Sequence, residues 1–332
     1  MKNKKFKTIE KCKRIFVLLL VLCTLAGCAG SKAAGNQNAG ERADDTESVV
    51  DDTKREPNIV CWGDSLTYGT GGEGVTYPSV LAEKTGLTVY NYGVRGETAK
   101  QIAIRMGLYQ MTVLAFTIPE DTTPVSVSLL YQGEDPVMMR LGDVGMNPCE
   151  ISGVKGELSY QEADGKYYFT RLEAGKEVSV EEGAVVTMDA AGKVDANDIV
   201  VLFAGSNDRP TKEDAAALIA TEKEMIAYLG SEKYIIVGLT SQEMIPEVAA
   251  VNEELKETFG DHFLDIRSYF LEHGLEDAGI TPTEQDKADI VAGEIPSSLR
   301  VDIVHGTPDF YQILGEQLYE KMRADGYLPK EE

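Results

Sequence analysis

The chain has 332 residues, 43% of them apolar, and its 32 Lys and Arg stand against 55 Asp and Glu for a net charge of −23. That apolar content is ample for one globular core, while so acidic a surface repels phosphate backbones and makes nucleic acid a poor partner. Five cysteines are present, too few for a disulfide framework once those of the leader are set aside.

The N-terminus opens with Lys2, Lys4, Lys5, Lys7, Lys11, Lys13 and Arg14, followed by the apolar run Ile15 to Leu22. The run is too short to span a bilayer but suits the apolar region of a secretory signal. It leads to Leu25-Ala26-Gly27-Cys28, which is similar to a bacterial lipobox, with cleavage before Cys28 leaving that thiol to carry lipid. Residues 1–27 therefore read as a lipoprotein signal peptide. The alternative is an ordinary signal peptide with an incidental cysteine; a cytoplasmic protein is excluded either way. The expected location is the outer face of a bacterial membrane, lipid-anchored. Loss of residues 1–27 removes seven positive charges and one negative, leaving 25 against 54 and a net charge of −29. Membrane contact is thus expected through lipid on Cys28 and not through a basic face. Cys12 and Cys23 leave with the signal, so only Cys61 and Cys149 remain in the body of the protein.

Residues 28–56 read as a flexible tether, first Ala, Gly, Ser and Asn, then charged, with almost nothing to bury. From Pro57 onward apolar runs alternate with helical patterns. Ile59 to Trp62, Leu87 to Tyr90, Ile199 to Ala204 and Tyr234 to Leu239 have the β-branched or aromatic character of buried parallel strands. Helices are predicted over 76–85, 98–108, from the capping-box pattern Thr211 to Asp214 on to Leu229, over 246–259, and from Thr307-Pro308. The last carries the apolar stripe Ile313, Leu314, Leu318 and Met322. Alternation of this kind predicts an α/β fold, a parallel sheet covered on both faces.

Between residues 111 and 195 the rhythm changes. Short strand-like runs at 125–131, 137–141, 167–172, 177–180 and 185–188 are separated by Gly, Asn, Asp and Pro turns. This predicts a small antiparallel β domain inserted into an α/β domain made of 57–110 and 196–330. It contains no histidine, so it is expected to shape substrate access and not to perform chemistry.

Strand one runs straight into Gly63-Asp64-Ser65-Leu66. A serine there stands where open α/β sheets place their sites, but it needs a neighbouring base. The candidate imidazoles are His262, with Asp265 nearby, His273 at a predicted helix end, and His305, with Asp302 three residues earlier. The last spacing lets a carboxylate accept from one ring nitrogen while the other faces the serine. Two further loops follow strands: Asn91-Tyr92-Gly93-Val94-Arg95-Gly96-Glu97-Thr98 and Gly205-Ser206-Asn207-Asp208. Each could direct an N–H at developing negative charge, and each could equally be a tight turn or helix cap.

Taken together and in this order, Gly63-Asp64-Ser65, Gly96, Gly205-Ser206-Asn207-Asp208 and Asp302-Ile303-Val304-His305 resemble the blocks of the SGNH hydrolase superfamily, the GDSL-type esterases and lipases. The resemblance covers Pro57 to about Met106 and Ile199 to about Tyr327. It implies a flavodoxin-like three-layer α/β/α fold and a metal-free, cofactor-free serine hydrolase. By that resemblance Ser65 is the nucleophile, His305 the base and Asp302 its orienter. The amides of Ser65 and Gly96 and the side chain of Asn207 then form the oxyanion hole. One departure is the Gly306-Thr307 that follows His305, where many relatives continue with an apolar residue or Pro and then Asn.

Three functions fit. The first is a surface-anchored esterase that removes short acyl groups such as acetyl from carbohydrate or cell-wall glycan. The second is a lysophospholipase or thioesterase acting on lipid. The third is a glycan-binding lipoprotein with a vestigial hydrolase domain. The segments around the motifs, rich in Gly, Thr, Asp and Tyr, favour a polar substrate.

Overall fold

The computed structural model describes residues 55–329, all within one compact unit; the signal and tether readings, Cys28 included, lie outside these residues. In chain order the elements begin with β1 (Ile59–Gly63), α1 (Ser65–Tyr68), α2 (Tyr77–Thr85), β2 (Val89–Gly93) and α3 (Ala99–Met106). Nine short strands follow: β3 (Thr112–Val113), β4 (Phe116–Ile118), β5 (Val125–Val127), β6 (Leu129–Leu130), β7 (Cys149–Ile151), β8 (Val154–Gln161), β9 (Lys166–Arg171), β10 (Val178–Val180) and β11 (Val186–Thr187). The chain then resumes with β12 (Ile199–Phe203), α4 (Ala215–Leu229), β13 (Tyr234–Val237), α5 (Val248–Phe259) and β14 (Phe263–Leu264). It closes with α6 (Ile266–Glu272), α7 (Gly274–Asp277), α8 (Glu284–Ala292) and α9 (Pro308–Ala324).

The central sheet has the order β14-β13-β12-β1-β2, every pair parallel. Alternate residues of β1 serve opposite faces, as the period of a strand requires. Val60 and Trp62 pack with α3, α4 and α5, while Ile59 and Cys61 pack with α2, α6 and α9. This is the expected three-layer α/β/α arrangement. The order reverses between β1 and β12, so the crevice for a ligand opens at their carboxyl ends, where Ser65 and Asn207 follow.

Several boundaries differ from the sequence reading. β2 begins at Val89, because it pairs with β1 in the register Ile59↔Val89 to Gly63↔Gly93; Asn91, Tyr92 and Gly93 are therefore strand and not turn. Thr211 and Asp214 do pair, but in a turn ahead of α4, whose own cap at Asp214 lacks a side-chain bond. β14, with two residues, and α6 and α7, with seven and four, are too short for a periodic signal.

Between α3 and β12 the strands are antiparallel, in sheets β11-β7-β8-β9-β5, β10-β4 and β3-β6. They enclose a hydrophobic cluster that includes Met111, Leu158, Phe169 and Met188 and reaches Ile104 of α3. Entry and exit lie side by side: a Cβ added at Gly107 would stand 2.8 Å from that of Ala191. Residues 137–141 are not a strand, since Val137 and Met139 adopt φ of 59° and 64° and turn the chain. The longest strand here, β8, was missed because its sequence VKGELSYQ buries little beyond Gly156 and Leu158. Cys61 and Cys149 are both buried and unpaired; burial pushes both thiols up in pKa, which suits small core side chains and not nucleophiles.

Candidate active site

β1 is buried along its whole length and delivers Gly63 to the crevice. No larger residue fits there, for a Cβ at Gly63 would lie 2.0 Å from the Thr67 hydroxyl and 2.5 Å from the Phe203 carbonyl oxygen. Asp64 caps α1, its carboxylate accepting from Leu66 N–H at 2.9 Å. Ser65 is the first residue of that helix, so its own N–H has no intrahelical partner. Its hydroxyl meets His305 Nε2 at 2.8 Å, across 240 residues of sequence.

His305 is held from behind. Its Nδ1 is 2.7 Å from Asp302 Oδ2, while Asp302 Oδ1 accepts from the backbone N–H of Val304 and His305 at 2.8 and 2.7 Å. Burial pushes the Asp302 carboxyl up, but the bonds from the His305 ring and from the two N–H groups outweigh it and hold Asp302 below the usual carboxylate range. Asp302 therefore stays ionised and its imidazole partner stays oriented. The loop that carries both is closed by Val301 N–H on His305 O and Thr307 N–H on Leu299 O, and Ser241 donates to Ile303 O. His262 and His273 lie elsewhere. His262 stacks on Tyr234 and shares Nδ1 with Tyr234 O and the Tyr327 hydroxyl, and His273 ends α6.

Asn207, beyond β12, reaches both neighbouring loops: its Nδ2 donates to Glu97 O at 2.9 Å and to Asp64 Oδ2 at 3.2 Å. Gly96 turns the post-β2 loop with φ 75°, a conformation that disfavours a side chain. Thus the three loops named from sequence converge at one end of the sheet.

Their support was not visible in the sequence. Arg105 of α3 is fully buried and links three segments, pairing with Glu97 at 2.7 Å and donating to Gly63 O at 3.2 Å and to Val144 O at 3.1 Å. Its one signal is a cation within the apolar stretch Ile102 to Met106. Burial raises the pKa of Glu97, against the pull of Arg105. Burial also drives Asp64 up to about 7, with repulsion from Asp208 and Glu97 adding to it and the bonds from Leu66 and Ser206 opposing. The glycine-rich segment after Ser65 is tied down as well, with the Tyr311 hydroxyl donating to Thr70 O at 2.6 Å.

A second support stands behind the histidine loop. Asp286 of α8 accepts from Thr283 N–H and hydroxyl and from Ser298 N–H and hydroxyl, while Asp289 accepts from Ser297. Burial alone would raise Asp286; the Thr283 and Ser298 bonds overcome it and draw its pKa down to about 2. A carboxyl depressed on folding contributes stability above its unfolded pKa near 4 and loses it as pH falls towards 2. Asp286→Asn is therefore expected to lower Tm at neutral pH and to leave it nearly unchanged near pH 2. A Tm deficit equally large at both pH values, read by calorimetry, would contradict this account.

No curated protein matches the chain. Among solved structures, a member of the lipolytic G-D-S-L family from Veillonella parvula shares 13% identity over 79% of this chain and 96% of its own, with a TM-score of 0.42. An acetyl xylan esterase shares 12% over 79% and 98%, with a TM-score of 0.40. A peptidoglycan O-acetylesterase shares 13% over 81% and 92%, with a TM-score of 0.34. The family model for GDSL-like lipases and acylhydrolases matches residues 59–318, most of the length, and the chain belongs to that family.

Proposed function

We propose that the protein is a serine esterase that hydrolyses short acyl esters, acetyl foremost, carried on carbohydrate or cell-wall glycan, and that lipid on Cys28 anchors it outside the cell. The observation that carries this reading is the unbroken hydrogen-bonded chain from Asp302 through His305 to Ser65. In the reaction Ser65 Oγ attacks the ester carbonyl as His305 Nε2 takes its proton, and Asp302 stabilises the imidazolium. The tetrahedral oxyanion accepts from the N–H groups of Ser65 and Gly96 and from Asn207. Collapse expels the alcohol, protonated by His305, and leaves an acyl-Ser65 ester. Water, deprotonated by His305, then attacks that ester, and the carboxylic acid departs with Ser65 restored.

Asn207 must release one contact to serve the oxyanion, and the longer bond, to Asp64 at 3.2 Å, is the one to yield. Asn207→Ala is expected to lose about 10²–10³-fold in kcat with KM little changed. A large rise in KM at constant kcat would instead make Asn207 a ground-state contact.

A second reading, an acylhydrolase for lipid esters, draws on one observation. Leu141, Val301 and Ile303 are exposed on segments beside Gly96 and His305, so the surroundings of the site are less polar than the motifs suggest. Activated esters of increasing acyl length, with chelator present, test both readings together with acetylated glycans and a lysophospholipid. Acetate preferred over long acyl chains supports the first, and the reverse order the second. No turnover of any ester, or a serine-directed phosphonate bonding elsewhere than Ser65, removes both.

A further inference from the structure

We propose that the hollow between β2 and the segment 143–147 binds an uncharged oligosaccharide, the chain on which the ester is carried; as a statement about turnover this rests on the esterase reading above, while the binding stands by itself. The hollow has a volume of about 510 Å³, within the range of ligand pockets. Tyr90 and Tyr92 of β2, with Asn58 just ahead of β1, form one side, and Asp143, Asn147 and Lys193 close the other. A second hollow of about 330 Å³ shares Asp143 and Val144 with the first and reaches Tyr68, on the helix that Ser65 begins. The two hollows meet at Asp143 and Val144, beside the edge strand β2: Tyr90 and Tyr92 line the first on one face of the sheet, Asn91 and Gly93 line the second towards Tyr68, and a bound chain would pass round that edge.

The lining has the chemistry of a sugar site. The rings of Tyr90 and Tyr92 are parallel within 7°, with centroids 5.9 Å apart, and Tyr92 is backed by Trp62 at 4.5 Å. Tyr90 is 42% exposed and Tyr68 49%. A pyranose presents an apolar C–H face to such rings and a belt of hydroxyls at its edge, which need acceptors and donors around the shelf. Asn58, Asp143 and Asp189 stand there. A lipid chain would instead lay hydrocarbon against these polar groups and strip them of water, which is costly.

Charge narrows the class. In the hollow beside Tyr90, Lys193 is matched by Asp189 at 2.6 Å and Asp143 accepts from the Asn147 amide at 2.9 Å, while Arg95 stands apart over the Tyr68 ring at 5.2 Å. The hollow beside Tyr90 is therefore net negative within a chain of net charge −23 and disfavours uronate- or phosphate-bearing polymers. The walls come from both the sheet and the inserted segment, so the insertion builds the groove without entering the chemistry.

The test uses the full chain and two variants at a residue outside the catalytic set, Tyr90→Ala and Tyr90→Phe. Calorimetry on the Ser65→Ala background reads binding of deacylated xylo-, cello- and chito-oligosaccharides, with polygalacturonate as the anionic control. At least one uncharged probe is expected to bind, more tightly than polygalacturonate. Tyr90→Ala should weaken it by about tenfold or more, and Tyr90→Phe should restore it, since the ring and not the hydroxyl stacks. On the Ser65 background, Tyr90→Ala should raise KM for an acetylated form of that probe by about tenfold, with kcat unchanged and turnover of a small activated ester within about twofold. No saccharide binding, equal binding of polygalacturonate, or binding indifferent to Tyr90→Ala overturns the proposal. Saccharide binding that depends on Tyr90 in a protein that cleaves no ester supports the groove and overturns the esterase reading instead.

Discussion

Replacing Ser65 by alanine is expected to lower kcat on a short activated ester by at least about 10⁵-fold, the largest effect of any single change, because in the proposed mechanism nucleophile, base and orienter act as a unit. The Ser65 hydroxyl is 2.8 Å from His305 Nε2, and no other hydroxyl meets that nitrogen among the described residues. Cys61 offers no substitute, since it is buried in the sheet with its thiol pKa driven upward. The variant should fold as the parent does: the Ser65 side chain has no described hydrogen bond except to His305, and the Asp64 cap on Leu66 N–H does not involve it. Burst kinetics on the parent and steady-state rates on the variant check the claim. A Ser65→Ala protein that retains parental turnover would remove the nucleophile from this account.

The second large effect is expected at the base and its orienter. His305→Ala should be nearly as damaging as loss of Ser65, whereas Asp302→Asn should cost on the order of 10⁴-fold if its amide holds the wrong tautomer. The geometry makes Asp302 serve two purposes, since Oδ2 holds the ring while Oδ1 gathers the N–H groups of Val304 and His305. Asn can keep one of these contacts and not both with the correct polarity. Asp302 is also half exposed, and water can take over part of its role, which sets the Asn cost below that of removing the imidazole. His262→Ala and His273→Ala should retain turnover, because His262 is bound to Tyr234 and Tyr327 and His273 ends a helix. Loss of activity on His262→Ala equal to that on His305→Ala would identify a different base.

The local signals were legible for simple reasons. Strands buried on both faces read as unbroken apolar runs, and β1 and β12 are each buried at every position. The Asp302–His305 pair closes within one turn of chain, and in so acidic a sequence its spacing became informative only beside the other blocks. The apolar stripe of α9 emerged where periodicity placed it, with Ile313, Leu314, Leu318 and Met322 all buried. By contrast, β8 carries Lys155, Glu157, Ser159 and Gln161 on its open side, and its two buried residues are too few to announce a strand.

By its own residues, then, the chain determined an α/β sheet, the loops that end its strands, and the types of group those loops carry, because helix and strand periods and local caps depend on neighbours a few positions apart. Tertiary structure alone decided the rest. It carried His305, which the family blocks had already singled out, across 240 residues to Ser65. It made Arg105 a buried tie between Gly63, Glu97 and Val144, and it set residues 143–147 beside β2 to form a groove. Contacts of this kind are set by which surfaces the packed core leaves facing one another, and no periodicity within a segment encodes its partner.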